Sequence, residues 1–295
     1  MHAPWGCRVA LTETETLYEY FYAVERVPEW KLSLYSAKVE RLYYRFYRWR
    51  FDFSTKRDLE QFSWILTRMA RLERGNQIRC HAVLDRLEVL PLIEEFCATR
   101  PEKAMEPDYV DLYYLYSHIL ETQPKVVLEL GSGVSTVVMA AALAINGEGR
   151  LHSVDPTEEW AESTARCLPR SLRNWCEVTH SARQPIKVDG FDSSRFKTLP
   201  VKHADMIYLD GAHPHTFYAG AETIHGLRPG FKGGETILID GRWSAIEFFG
   251  HQPALYDVIS YGNVIEPVSR EITGPIGALD VFTNTIVTVR PPIND

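Results

Sequence analysis

The sequence predicts an α/β fold: an open, mostly parallel sheet with helices on both faces, joined to an N-terminal α-helical extension. Three observations predict it. After Pro107, short β-branched runs alternate with helix-length stretches, the order that builds a parallel sheet covered on both sides. Before about residue 105, apolar residues instead recur at steps of three and four, the helical period. The chain has 295 residues and is 45% hydrophobic, enough for a true core and for two regions. Residues 1–105 are therefore read as the helical extension and 106–295 as the α/β domain.

In the extension, Tyr35, Val39, Leu42, Phe46, Trp49 and Phe53 lie on one side of a helix, with Arg41, Arg45 and Arg48 on a neighbouring face. Leu59, Phe62, Leu66, Met69 and Leu72 repeat the spacing. Thr55 and Asp58 between the two runs resemble a helix N-cap with its acidic partner. A packed pair of helices ending near Gly75-Asn76 is the simplest arrangement. A third helix is expected from Ile78 towards Phe96, disturbed at Pro91. The apolar stripe also makes these helices a candidate surface for homo-oligomerisation.

In the second region a helix is expected over 109–121. Strands are expected at 126–130, 151–154, 176–180, 206–209 and 236–239, with a last, antiparallel one at 281–289. The helices between them are placed at 134–145, 158–168 and 216–227.

Composition narrows the function classes. A formal net charge of −7 and a pI near 5.8 argue against a chain-wide polyanion-binding role, and no nucleic-acid module is present. The five cysteines are scattered without a C-x-x-C pair, so neither a zinc ribbon nor a redox motif is indicated. That pattern fits buried thiols in a reducing compartment. Glu13 and Glu15 precede any apolar run, unlike a signal peptide. The longest apolar run, 137–145, is far short of the ~18 residues that span a bilayer. A cytoplasmic protein without a membrane span is expected.

The chemistry centres on Glu129-Leu130-Gly131-Ser132-Gly133-Val134-Ser135-Thr136, which follows a strand and opens a helix. In that context glycines let the backbone turn and approach a ligand, beside the unpaired N–H groups of the helix start. Asp155 ends the next strand, where an acid accepts hydrogen bonds from both ribose hydroxyls of an adenosine, or else caps the next helix. A nicotinamide dinucleotide would use the same two features. Thr136 in place of the third glycine, and Glu129 beside the loop, disfavour a pyrophosphate and favour the ammonium of a methionine moiety. The motif is not G-x-S-x-G, so a hydrolase nucleophile is not supported.

These residues, together with Asp205-Met206-Ile207-Tyr208-Leu209-Asp210-Gly211-Ala212-His213, resemble class I S-adenosylmethionine-dependent methyltransferases. The nearest pattern is the branch with a D-G-x-H element after the fourth strand. The stretch from Gly233 to Asp240 is similar to that family's fifth strand. The resemblance covers about residues 106–290 and implies a Rossmann-like fold binding S-adenosyl-L-methionine. By that resemblance Glu129, Gly131, Ser132, Gly133 and Ser135 surround the methionine part, Asp155 holds the ribose, and Ser181 lies towards the adenine.

Two chemistries are then open. Asp210 and Asp240 would project from neighbouring strand ends and hold Mg2+, although Gly241 stands where metal-dependent relatives carry Asn or Asp. Alternatively His213 acts as general base with Asp210 orienting it. His215, Arg242 and Trp243 are further residues expected at the same edge. The expected activity is methyl transfer to an oxygen or nitrogen of a small-molecule acceptor, with oxygen favoured. The alternatives are a nicotinamide-dependent oxidoreductase or a non-catalytic adenosylmethionine-binding assembly protein.

Overall fold

The structure, a computed structural model, describes residues 77–100, 107–188, 191–210, 220–240, 243–262 and 283–291. The apolar stripes at 35–53 and 59–72 lie outside these residues, as do His213, His215 and Arg242. The chain divides into two compact units, Met1–Val83 with Gly262–Leu279 and Leu84–Tyr261 with Asp280–Asp295. The glycine loop and the strand-end acids lie in the second unit.

Helical residues 77–86 are followed by α1 (Leu90–Thr99). The continuous helix expected over 78–96 is thus two, and Pro91 is not the break. Pro91 sits in the first turn of α1, where its missing N–H costs nothing. The break is Glu88, whose φ of 58° is left-handed. Its N–H bonds Asp85 O at 2.9 Å while Val89 N–H reaches back to Leu84 O at 2.9 Å, a Schellman end built without glycine. α2 (Tyr109–Thr122) is capped by Asp108, whose carboxylate accepts from Val110 N and Asp111 N.

The sheet contains β1 (Val126–Leu130), β2 (Arg150–Asp155), β3 (Cys176–His180), β6 (Met206–Leu209), β7 (Thr236–Asp240), β8 (Tyr256–Gly262) and β9 (Thr283–Val289). Its order is β3-β2-β1-β6-β7-β9-β8. The first five are parallel to their neighbours, and β9 runs antiparallel to β7, as the β-branched tail of the sequence suggests. α3 (Val134–Asn146) and α4 (Glu158–Cys167) make the crossovers after β1 and β2. The short α5 (Ala221–His225) precedes β7, and α6 (Trp243–Gly250) comes after it.

Burial explains the legible strands. Leu128, Leu130, Ile207, Leu209, Ile237 and Ile239 share one face and one core cluster, while Val127, Met206, Tyr208 and Leu238 on the other face are buried as well, so the parallel sheet is covered on both faces. From Val137 to Leu143, α3 is buried on every side. A hairpin, β4 (Arg183–Val188) with β5 (Phe191–Phe196), stands apart from the main sheet and has no counterpart among the expected strands. Of the described cysteines, none is in a disulfide; Cys80, Cys167 and Cys176 are buried, but Cys97 is exposed, against the expectation. No helix among the described residues is long and apolar enough to cross a membrane.

The chain begins its sheet at β1, moves outwards through β2 to β3, then returns to β6 on the other side of β1. That reversal makes the C-terminal ends of β1 and β6 a topological switch point, the usual ligand position in such sheets.

Candidate functional site: the glycine loop and the strand ends

The loop after β1 is held by hydrogen bonds that use all three of its N–H groups. Gly131 N–H bonds Val154 O at 2.8 Å, with a φ of 111° that favours glycine. Ser132 N–H bonds Asp155 Oδ2 at 3.0 Å, and Gly133 N–H bonds Thr136 Oγ1 at 2.9 Å. Gly133 is different from Gly131: its φ of 177° is ordinary extended backbone, and a Cβ built there meets nothing within 4 Å. Neither backbone strain nor protein packing asks for glycine at 133. The loop borders open space there, next to the orphan N–H groups of the first turn of α3.

Glu129 lies in β1 and is fully buried. Ser135 Oγ donates to its Oε1, and Thr136 Oγ1 and Ser153 Oγ donate to its Oε2, each at 2.5 Å. Ser153 is its register partner across β1 and β2, so the sheet itself supplies that hydroxyl. Burial pushes the carboxyl up to about 8, the three hydroxyls pull it back, and the nearby Asp210 charge adds to the rise.

Asp155, at the end of β2, is buried and holds the loop from the other side. Oδ2 accepts from the N–H and hydroxyl of Ser132 (3.0 and 3.1 Å), and Oδ1 accepts from Thr157 N–H at 2.9 Å. Three of about four lone-pair positions are thus used within the protein. Thr164 Oγ1 lies 3.1 Å from Ser132 Oγ and donates to it, since the Ser132 proton goes to Asp155. Ser181 donates its N–H to Asp155 O, and its hydroxyl accepts from Thr198 N–H. It is buried and fixes the chain after β3.

Asp210 comes directly after β6, its N–H bonding Leu130 O at 3.1 Å. Asp240 ends β7, and the register Leu209↔Ile239 brings the two acids to neighbouring strand ends. Their charges are both felt by buried Tyr208, whose phenol is driven well up by burial first and by these acids next. Among the described residues no group of three metal-ligating side chains occurs. α6 starts at Trp243, one turn past Asp240.

Sequence reasoning misses how the loop is held. By motif, Thr136 is only a missing third glycine, whereas in the structure its hydroxyl links Gly133 to Glu129. By pattern, Trp160 is only part of a capped helix, yet its Nε1–H donates to Ser132 O at 2.7 Å. A signal for the first exists in the sequence: hydroxyls at 135, 136 and 153 accompany an acid set in an otherwise apolar strand.

Residues 128–240 match the family model of a methyltransferase domain. With the sheet order and the loop, this segment has a Rossmann-like methyltransferase fold. Among solved structures, the chain is similar to an O-methyltransferase from Bacillus cereus in complex with S-adenosylhomocysteine. The identity is 15%, coverage is 69% of this chain and 89% of that one, and the TM-score is 0.44. It is also similar to the O-methyltransferase TomG of Streptomyces achromogenes in complex with S-adenosylmethionine, at 17% identity, 73% and 99% coverage and a TM-score of 0.45. No curated protein matches it in sequence.

Proposed function

We propose that the protein transfers the methyl group of S-adenosyl-L-methionine to an oxygen of a small-molecule acceptor. The observation that carries this reading is Gly133, a glycine that neither backbone nor packing requires, on a loop bordering open space between two buried acids. The loop and first turn of α3 would receive the methionine part. Ser135 Oγ, whose proton goes to Glu129, would offer its lone pair to the ammonium, the remaining lone pair of Asp155 would take a ribose hydroxyl, and the segment at Ser181 would flank the adenine. The bound cofactor supplies an electrophilic methyl on a sulfonium. The protein's part is alignment of acceptor and methyl, exclusion of water and removal of one proton from the acceptor.

For that proton the reading assigns His213 as base and Asp210 as the group that orients it. The placement of Asp210 and Asp240 at adjacent strand ends favours a second arrangement, in which a cation is held by their carboxylates. Their hard oxygens suit Mg2+, which would lower the pKa of an acceptor hydroxyl bound beside them.

The test is ligand-induced stabilisation. S-adenosylhomocysteine should raise the melting temperature, since a ligand that binds only the folded state stabilises it by mass action. A shift with NAD and none with S-adenosylhomocysteine would replace this reading with an oxidoreductase.

A further inference from the structure

The peptide unit between Ser132 and Gly133 is held at both ends. Its N–H goes to Thr136 Oγ1, and through that hydroxyl to Glu129. Its carbonyl takes the indole N–H of Trp160 at 2.7 Å, shorter than most N–H···O bonds. Trp160 is on α4 and Glu129 is in β1, so the two anchors come from different elements. The indole is itself covered. The guanidinium of Arg100, just after α1, lies 3.6 Å from the ring centroid and is buried. Phe96 backs the same guanidinium at 5.3 Å.

A cation on a ring face draws electron density from the indole and makes its N–H a stronger donor, besides fixing the ring plane. Arg100 therefore acts on the loop through the indole. The order is guanidinium, indole, Ser132 carbonyl, and the Gly133 backbone that borders open space.

We propose that Trp160 and Arg100 are positioning residues that set the Ser132–Gly133 peptide for the cofactor; the proposal rests on the reading of the loop as a cofactor site. Trp160 sets the peptide directly, and Arg100 sets Trp160. An indole placed only to fill space would need neither its N–H on the loop carbonyl nor a buried cation on its face.

The experiment uses the full chain and S-adenosylhomocysteine as probe, with dissociation constants from calorimetry well below the melting temperature. Trp160→Phe keeps an aromatic ring and removes the donor. Its affinity should fall about fivefold, the weight of one net hydrogen bond. Arg100→Met should weaken binding less, and Arg100→Lys less still. The double variant Trp160→Phe/Arg100→Met should bind no worse than Trp160→Phe alone, because the effect of Arg100 passes through the indole N–H. Amide exchange in unliganded Trp160→Phe should quicken at 131–134 and stay unchanged in β1. Wild-type affinity in Trp160→Phe overturns the proposal, and additive losses in the double variant overturn the part of Arg100. A wild-type chain that binds no S-adenosylhomocysteine instead overturns the cofactor reading, and this proposal with it, while the exchange measurement still reports whether Trp160 holds the loop.

Discussion

Asp155 Oδ2 accepts both the N–H and the hydroxyl of Ser132, at 3.0 and 3.1 Å. This pair ties the end of β2 to the loop after β1, so the acid expected at a ribose also shapes the loop that would receive the rest of the ligand. Asp155→Ala should therefore do two things. It strands a buried Ser132 N–H, destabilising the unliganded protein by about 1–3 kcal/mol. It should also abolish most of the melting shift produced by S-adenosylhomocysteine. Ser132→Ala removes the hydroxyl but not the N–H bond, and should keep most of that shift. Equal ligand shifts in Asp155→Ala and wild type would show that the acid serves the fold alone.

How much of this is legible depends on what the sequence encodes by residue type. β1, β2, β3, β6 and β7 are readable because strands buried on both faces are short apolar runs bounded by turn residues. The β4–β5 hairpin is not, since Arg183, Gln184, Lys187, Asp192 and Arg195 break the apolar alternation. Its signal is the Asp189-Gly190 dipeptide between the strands, a favoured two-residue hairpin connection. The break at Glu88 carries no signal, because a left-handed glutamate looks like any helical one. The site is legible as positions: loop, Asp155, Asp210 and Asp240 all lie at the expected strand ends. Their partners are not, because a bond to a backbone N–H or carbonyl, such as Asp155 to Thr157 or Trp160 to Ser132, has no residue code. His213 lies outside the described residues, so its role stands as part of the proposal.

Acid should weaken the fold through His118. This side chain on α2 is buried, its Nε2 is 3.1 Å from Thr236 Oγ1 at the start of β7, and burial pushes its pKa down to about 4. The unfolded chain takes up this proton near pH 6.5, the folded one only near 4. Between those values the unfolded state binds more protons, so stability rises with pH and falls as pH drops. The full difference amounts to roughly 3 kcal/mol. His118→Gln should flatten the fall in melting temperature between pH 6.5 and 4. An identical profile in the variant would assign acid sensitivity to other groups.

Glu129 has the opposite sign. Burial raises its carboxyl to about 8, so the folded state keeps a proton that the unfolded chain releases near the usual 4.5. Its contribution is present below pH 4.5 and is lost as pH rises through 8. Glu129→Gln keeps the shape without the titration, so its melting temperature should change less than wild type between about pH 6 and 9. A parallel profile would mean that the hydroxyls of Ser135, Thr136 and Ser153 hold the carboxylate charged in both states.

Asp210 and Asp240 separate the two arrangements for activating an acceptor. Their strands lie about 4.8 Å apart, and the register carries the acids to adjacent ends. Under the cation arrangement, millimolar Mg2+ added to chelated protein with S-adenosylhomocysteine should raise the melting temperature. Asp240→Asn should remove the rise, because it deletes one of two hard anionic ligands. Under the base arrangement, Mg2+ changes the melting temperature of neither protein. Once an acceptor is identified, activity in excess chelator decides the same question. Full turnover there removes the cation, and a loss of about a hundredfold or more in His213→Ala is then the expected cost of a missing general base. Full activity of His213→Ala in chelator would leave Asp210 as the acceptor's only proton partner among these residues.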